Sequence, residues 1–224
     1  MMDSAGITDR NISSPTIYWI GGSPCSGKSS IALLIAARHD LQLYVCDDHY
    51  SDHLAAADPV SYPRLARART ATWNEVWSRP VDVATSDEFE FYREEFGMVL
   101  EDIYSMPTDR PVLAEGAALL PECVAPLVSD LHKAIWIVPT EAFQLYHYSR
   151  REWIHDILAQ CENPSAAFAT WMGRDAQFAE TVALDARNRA LRVITVDGSR
   201  SIEALAAEVE AHFGLQSVMP EKPV

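Results

Sequence analysis

The chain has 224 residues, and its 32 aspartates and glutamates against 18 lysines and arginines give a formal charge of −14 at pH 7. A surface this acidic repels the phosphates of nucleic acids and of anionic lipids, which disfavours nucleic-acid and membrane partners. The four cysteines show no paired spacing and the longest apolar run, 31–37, is too short to cross a bilayer, so we expect a cytoplasmic protein without disulfides.

Apolar patterning divides the chain into strands and helices. Residues 1–15 are polar and without period and predict a flexible tail, and residues 215–224 predict a second one. Continuous apolar runs predict five strands, namely Thr16–Gly21, Leu41–Cys46, Pro111–Gly116, Ala134–Val138 and Leu191–Val196. Helical spacing predicts Lys28–Arg38, several helices over about 50–106, Glu141–Gln160, Ser165 to about Ala190, and a last helix that carries Ile202 to Phe213.

This alternation predicts an α/β fold. We expect a three-layer sandwich in which helices cover both faces of a five-stranded parallel sheet, formed by a single domain over 16–214. Ligands of such sheets bind at the carboxyl ends of the strands. The residues that follow each strand are therefore the candidate site.

The first strand is followed by a G-x-x-x-x-G-K-S pattern, which is typical of a phosphate-binding loop. Glycines let successive N–H groups turn toward phosphate oxygens, and the next helix begins with unpaired N–H groups and a partial positive charge. Lys28 is predicted to reach the β- and γ-phosphates, and the Ser29 hydroxyl to bind Mg²⁺. The predicted nucleotide-binding residues of the loop are Gly22, Ser23, Pro24, Cys25, Ser26, Gly27, Lys28, Ser29 and Ser30.

Carboxylates end two other predicted strands. Asp47 and Asp48 follow the second strand, where a carboxylate can orient or deprotonate an acceptor hydroxyl. Because neighbouring residues of an extended chain point to opposite sides, we expect Asp47 to face the cleft as the base and Asp48 to bind metal, with the choice between them left open. Glu115 ends the third strand and is a predicted Mg²⁺ ligand. The alternative interpretation of these acids is that they form surface turns after the strands.

Arginines are the candidate phosphate clamps. Three of them lie in a predicted lid over about 141–175: Arg150, Arg151 and Arg174. Arg150 falls on the same helical stripe as Tyr146 and Trp153, which favours it over Arg151 for this role. A second basic cluster fits an anionic acceptor or, more simply, a solvated helix face, and consists of Arg64, Arg67 and Arg69.

Together these motifs resemble the P-loop small-molecule kinases, the superfamily of shikimate and gluconate kinases, chloramphenicol phosphotransferase and nucleotide kinases. The resemblance rests on the loop at 22–29, Asp47-Asp48, Glu115-Gly116 and the segment 146–151. It implies the sheet order 2-3-1-4-5, the use of ATP and Mg²⁺, and a small-molecule acceptor bound by residues 50–106.

The resemblance also assigns roles to three further residues. It implies that Arg150 is the lid arginine and that Asp197 and Gly198 lie in the loop beside the adenine. Adjacent aspartates replace the D-x-D of the family, and no shikimate-type glycine pair follows the third strand, which disfavours shikimate as the acceptor.

The expected activity is ATP-dependent phosphoryl transfer to a small molecule. One alternative is an ATP-binding regulator without an acceptor. The other is a nucleotide or nucleic-acid 5′-end kinase, which the negative charge disfavours for nucleic acid. A GTPase is disfavoured because the N-K-x-D pattern is absent and no D-x-x-G pattern lies between the predicted strands.

Overall fold

The computed structural model of the chain describes residues 16–215, so the predicted tails, apart from Leu215, lie outside the described residues. Five strands pair in parallel in the order β2-β3-β1-β4-β5. They are β1 (Ile17–Gly22), β2 (Gln42–Val45), β3 (Val112–Glu115), β4 (Ala134–Pro139) and β5 (Arg192–Val196). The predicted fold class and strand order are confirmed.

Ten α-helices connect and follow the strands of this described part. Their bounds are α1 (Lys28–His39), α2 (Cys46–Ala56), α3 (Pro63–Ala68), α4 (Trp73–Trp77), α5 (Val81–Ser105), α6 (Pro121–Val124), α7 (Glu141–Tyr148), α8 (Glu152–Leu158), α9 (Pro164–Asn188) and α10 (Ile202–Phe213). Two short 3₁₀ turns, Ala125–Leu127 and Leu131–Lys133, precede β4. Over residues 16–215, no helix combines the length and the apolar character that crossing a membrane requires.

The central strands are apolar on both faces, because helices cover both sides of the sheet. Within β1, Trp19 packs into one core with residues of α5 and α9, while Ile20 packs into a second core with residues of α1 and α10. The same alternation recurs in β4, where Ile135 and Trp136 belong to different cores. The result is the expected three-layer sandwich, with the carboxyl ends of the strands at one edge.

The predicted helix Glu141–Gln160 is wrong in one respect, because the chain breaks between Tyr148 and Glu152 to give α7 and α8. Tyr148 and Ile154 both pack into one buried cluster with Trp171. On a continuous helix these two residues would lie about 120° apart around the axis. Arg151, with φ −85° and ψ 115°, is extended and turns the chain so that both reach the cluster.

The second predicted strand also ends earlier than expected. β2 stops at Val45, and Asp47 and Asp48 lie in the first turn of α2 rather than at the end of a strand. Acidic side chains in a first turn are stabilised by the unpaired N–H groups and partial positive charge of the helix start. The expected alternation of the two side chains is therefore replaced by a helical separation.

Candidate active site

The phosphate-loop motif connects β1 to α1, as its spacing predicts. Gly22 has φ +129°, and a Cβ at this position would lie 1.9 Å from the carbonyl oxygen of Ile137 on the neighbouring strand β4. Both the backbone conformation and the close approach therefore require glycine. The loop that follows reaches α1, whose first turn has no side-chain cap, so its N–H groups are available to an anion.

Lys28 is buried, and its ammonium is folded over the loop. Its Nζ donates to the carbonyl oxygen of Ser23 at 3.0 Å, and only 7% of the residue is exposed. The Ser26 Oγ is buried and has no hydrogen-bond partner among residues 16–215. A buried cation, an uncapped helix start and an unpaired hydroxyl are donors of the kind that bind a polyphosphate, so these residues fit the phosphate chain of a nucleotide.

Glu115 ends β3 beside the loop, with 2% of the residue exposed. Burial raises the pKa of its carboxyl group, and the nearby Lys28 and a hydrogen bond with Ser29 partly oppose that shift. No group of three or more His, Cys, Asp or Glu side chains in the described residues is arranged to hold a metal ion. Mg²⁺ in phosphate sites commonly keeps waters and takes one or two carboxylates, and the Ser29–Glu115 pair fits that donor set.

Gly116 is fixed by its contact with α2. A Cβ on Gly116 would lie 2.4 Å from the Sγ of Cys46, the buried first residue of that helix. The glycine thus lets the start of α2, which carries Asp47, approach the end of β3, which carries Glu115. The acids of the two segments are brought to one edge of the sheet by this contact.

The Gly116→Ala substitution should therefore destabilise the protein by about 1–3 kcal/mol, the usual cost of overpacking a tight contact. Urea unfolding of the single variant measures that cost. In a Cys46→Gly background the same substitution should cost markedly less, because the clashing atoms are gone. An equal cost in the two backgrounds would show that the Cys46 contact is not the reason for the glycine.

A cavity of about 1080 Å³ opens beside the start of α2. It lies among α2, α3, α4 and α5, and Asp47 is in its wall, whereas Asp48 is not among its lining residues. The wall combines charged and aromatic side chains, and its aromatic residues are Tyr50, Trp73, Trp77, Phe91, Tyr92 and Trp153. The segment predicted to bind an acceptor thus forms a cavity of a size suited to a small molecule.

The predicted clamp arginines occupy different environments. Arg150 is exposed, and its guanidinium lies 3.5 Å from the centre of the Tyr146 ring and donates to the Tyr146 carbonyl oxygen at 2.7 Å. Arg151 instead reaches the phosphate loop, with its Nη2 3.6 Å from the Sγ of Cys25. The helical stripe that favours Arg150 is wrong, because the helix ends before either arginine.

Arg174 lies at the inner wall of the cavity. Its guanidinium lies 2.5 Å from a carboxylate oxygen of Glu88 and 2.6 Å from one of Asp175, and it covers the ring of Trp77 at 4.7 Å. The Oγ of Ser23 donates to the Asp175 carbonyl oxygen at 3.4 Å, which links α9 to the phosphate loop. Arg174 is thus part of a buried ion-pair cluster that joins the loop to the cavity.

The second basic cluster lines the same cavity. Arg64 pairs with Asp87 at 2.8 Å, whereas Arg67 and Arg69 form no ion pair with residues of the described part. Arg69 donates instead to the carbonyl oxygens of Leu54 and Ala55, each at 3.4 Å. The cluster is therefore not simply a solvated helix face, because two of its three arginines bond to other residues of the protein.

The predicted adenine-side residues lie in the turn between β5 and α10. Asp197 accepts hydrogen bonds from the backbone N–H and the hydroxyl of Ser199, and Gly198 lies against the ring of Phe143. The helix that follows begins with Ile202, whose Cδ1 lies 3.3 Å from where a Cβ on Gly27 would be. The turn therefore leads directly into a residue packed against the phosphate loop.

A polar cluster that runs from the cavity wall toward the surface was not predicted from the sequence. It joins α2 to α5 and consists of Glu95, His53 and Asp102, with Tyr44 and His49 in contact with Asp102. The sequence does carry one indication of this cluster. His49 and His53 are four residues apart and Glu95 and Asp102 are seven apart, which places each pair on one helix face.

The sequence matches no protein-family model and no curated protein. Among solved structures, a shikimate kinase from Acinetobacter baumannii in complex with shikimate is 17% identical, with a TM-score of 0.48 over 88% of this chain and 91% of its own. A gluconokinase from Sinorhizobium meliloti 1021 is 16% identical, with a TM-score of 0.45 over 90% and 92% of the two chains. A shikimate kinase from Aquifex aeolicus is 13% identical, with a TM-score of 0.41 over 89% and 96%. These are kinases of the kind that the sequence pattern resembles.

Proposed function

We propose that this protein transfers the γ-phosphoryl group of ATP to a hydroxyl or phosphate group of a small molecule. The observation that carries the proposal is the cavity whose wall includes Asp47, next to a loop with the donor set for a polyphosphate. A regulator that only bound ATP would need no acceptor cavity in addition to the phosphate loop. A 5′-end kinase acting on nucleic acid is disfavoured by the charge of −14.

The phosphate machinery consists of the loop and its neighbours. The first-turn N–H groups of α1 and the Lys28 ammonium bind the β- and γ-phosphates and offset the charge that develops on them. Ser29 and Glu115 would hold Mg²⁺, with Asp48 as a further carboxylate nearby, and the ion when bound neutralises phosphate oxygens. The turn at Asp197 and Gly198 lies beside the adenine of the bound ATP.

The transfer step requires a base beside the acceptor. As the acceptor oxygen forms its bond to the γ-phosphorus, the bond from that phosphorus to the β-phosphate oxygen breaks and ADP leaves. Asp47 takes the proton that the attacking hydroxyl loses, when the acceptor group is a hydroxyl. Its position in the cavity wall supports Asp47 for this role over Asp48.

We propose that residues 50–106 hold the acceptor and that residues 141–175 act as the lid. Within that lid the contact with Cys25 supports Arg151 as the arginine that approaches the phosphates. Arg150 instead packs against Tyr146 on the surface of α7. This assignment reverses the preference that the helical stripe gives.

A matched pair of variants tests the lid assignment. Arg151→Gln should lower kcat roughly tenfold to a hundredfold, because a charged donor to the transferring phosphate is lost. Arg150→Gln should change kcat by less than about twofold, since its guanidinium lies on the outside of α7. Steady-state kinetics of both variants measure these effects. A larger loss of kcat in Arg150→Gln than in Arg151→Gln would assign the lid role to Arg150.

A screen of acceptors tests the proposed function itself. Release of ADP is followed with Mg-ATP and a panel of sugars, sugar acids, amino alcohols, aromatic alcohols and nucleosides. At least one compound should raise ADP release well above the rate with water alone and should appear in phosphorylated form. ATP binding without transfer to any member, in a panel extended to a metabolite extract, would favour the regulator.

A further inference from the structure

Glu95 is a carboxylate of the acceptor cavity that the proposed transfer step does not use. It lies on α5, lines the cavity, and is 2% exposed. Its Oε1 lies 3.1 Å from the Nδ1 of His53 on α2. No residue of the described part forms a hydrogen bond with its second oxygen, Oε2.

His53 connects Glu95 to the outside of the protein. Its other ring nitrogen, Nε2, lies 3.0 Å from the Oδ2 of Asp102, which is 37% exposed. The same oxygen accepts a hydrogen bond from the Tyr44 hydroxyl at 2.9 Å and lies 3.3 Å from the Nδ1 of His49. His53 thus lies between two carboxylates, one in the cavity wall and one near solvent.

This arrangement fixes the orientation of Glu95. A buried carboxylate without a partner is costly, and burial raises the pKa of Glu95 while His53 opposes that shift. Asp102 in turn holds the far side of the imidazole, so the ring cannot turn away without losing a hydrogen bond at each nitrogen. A side chain held in this way presents its free oxygen at a defined place in the cavity.

The charge around Glu95 limits what can contact it. Asp47 and Glu88 face it from the same cavity and raise its pKa further, and the nearby Arg174 is already paired with Glu88 and Asp175. An anionic group at this end of the cavity would be repelled by the carboxylates of Asp47, Glu88 and Glu95. A hydroxyl or an amine, which can donate a hydrogen bond, would instead be stabilised.

We propose that Glu95 binds the acceptor by accepting a hydrogen bond from a second hydroxyl or amine group of that molecule, and that His53 is the residue that positions it. The inference rests on the proposed function, since it requires an acceptor in this cavity. It narrows the acceptor to a polyhydroxylated or amino-bearing compound whose end near Asp47 carries no negative charge.

The test uses the most active acceptor of the panel and the full-length protein. Glu95→Gln should raise the KM for that acceptor by about tenfold or more, because the carboxyl oxygen that accepts the hydrogen bond is lost, while the KM for ATP stays within about twofold. Glu101→Gln is the matched control, since this exposed acid lies on the same helix and does not line the cavity. It should leave both KM values unchanged.

Two substitutions of His53 separate positioning from a merely structural role. The side-chain amide of asparagine replaces the Nδ1 donor that faces Glu95, whereas that of glutamine replaces the Nε2 position that faces Asp102. His53→Asn should therefore retain most of the affinity for the acceptor, and His53→Gln should raise the acceptor KM as Glu95→Gln does. Thermal unfolding of the two variants shows whether they are equally folded.

The outcomes separate this inference from the proposed function. If the wild-type protein transfers phosphate to no acceptor, the proposed function fails and the inference with it. If the wild type is active but Glu95→Gln keeps the wild-type acceptor KM, the inference alone is overturned. If Glu95→Gln does not fold, the two His53 variants decide, and equal acceptor KM values in both would overturn the positioning role.

Discussion

Replacing Lys28 by methionine should lower phosphoryl transfer by about a hundredfold to a thousandfold, since the substitution removes the buried charge that we propose binds the phosphates. Methionine is unbranched and only one heavy atom shorter than lysine, and the hydrogen bond lost is the one to the carbonyl oxygen of Ser23. The fold should therefore be retained. Steady-state kinetics with Mg-ATP, together with thermal unfolding, measure both expectations.

The chain offers a matched control for this variant. Lys133 is the other lysine of residues 16–215 and lies in the 3₁₀ turn before β4, at the amino end of that strand. Lys133→Met should leave the kinetics within about twofold of the wild type. Equal turnover in Lys28→Met and Lys133→Met would remove the loop lysine from the mechanism.

Asp47→Asn should retain ATP binding and lose turnover by about a hundredfold to ten-thousandfold, the usual contribution of a general base. Asparagine has nearly the same shape as aspartate but cannot take the proton of the acceptor hydroxyl. The cavity should thus still form, and the affinity for ATP should change by no more than about threefold. Calorimetric titration with ATP and single-turnover transfer measure the two quantities separately.

The neighbouring aspartate provides the comparison. Asp48→Asn should leave the single-turnover rate at saturating Mg²⁺ close to that of the wild type and raise the Mg²⁺ concentration needed to reach it. If Asp48→Asn loses the chemical step while Asp47→Asn keeps it, the roles of the two acids are exchanged. If neither substitution affects transfer, the base lies elsewhere in the cavity.

The sequence predicts the sheet and the phosphate loop well because both depend on local patterns. Continuous apolar runs mark strands that are buried on both faces, and the G-x-x-x-x-G-K-S spacing marks a strand, a loop and a helix together. The predicted strand order was implied by the resemblance to small-molecule kinases and not by the runs themselves. The structure confirms that order.

The site arginines could not be ranked from the sequence. The periodicity of Tyr146, Arg150 and Trp153 assumes one helix, and the break after Tyr148 arises from tertiary packing against Trp171. Once the helix is broken, Arg151 and not Arg150 reaches Cys25. Local spacing carries no information about a break that a distant residue imposes.

The Glu95–His53–Asp102 cluster was missed for a related reason. Its members come from two helices, and only the packing of α2 against α5 brings them to hydrogen-bond distance. In the sequence, Glu95 is one acid in a charged helical stretch, where a solvated side chain is the ordinary interpretation. Burial of a charged side chain against a partner is visible only in the structure.

The most direct test of the central claim is ³¹P NMR of the protein with Mg-ATP and the acceptor panel or a metabolite extract. If the protein is a small-molecule kinase, a phosphomonoester or new phosphoanhydride resonance should grow in step with ADP, in equal amounts, and should be nearly absent with Lys28→Met. ATP that is bound but not consumed, or ADP that forms only with inorganic phosphate, would contradict phosphoryl transfer to a small molecule.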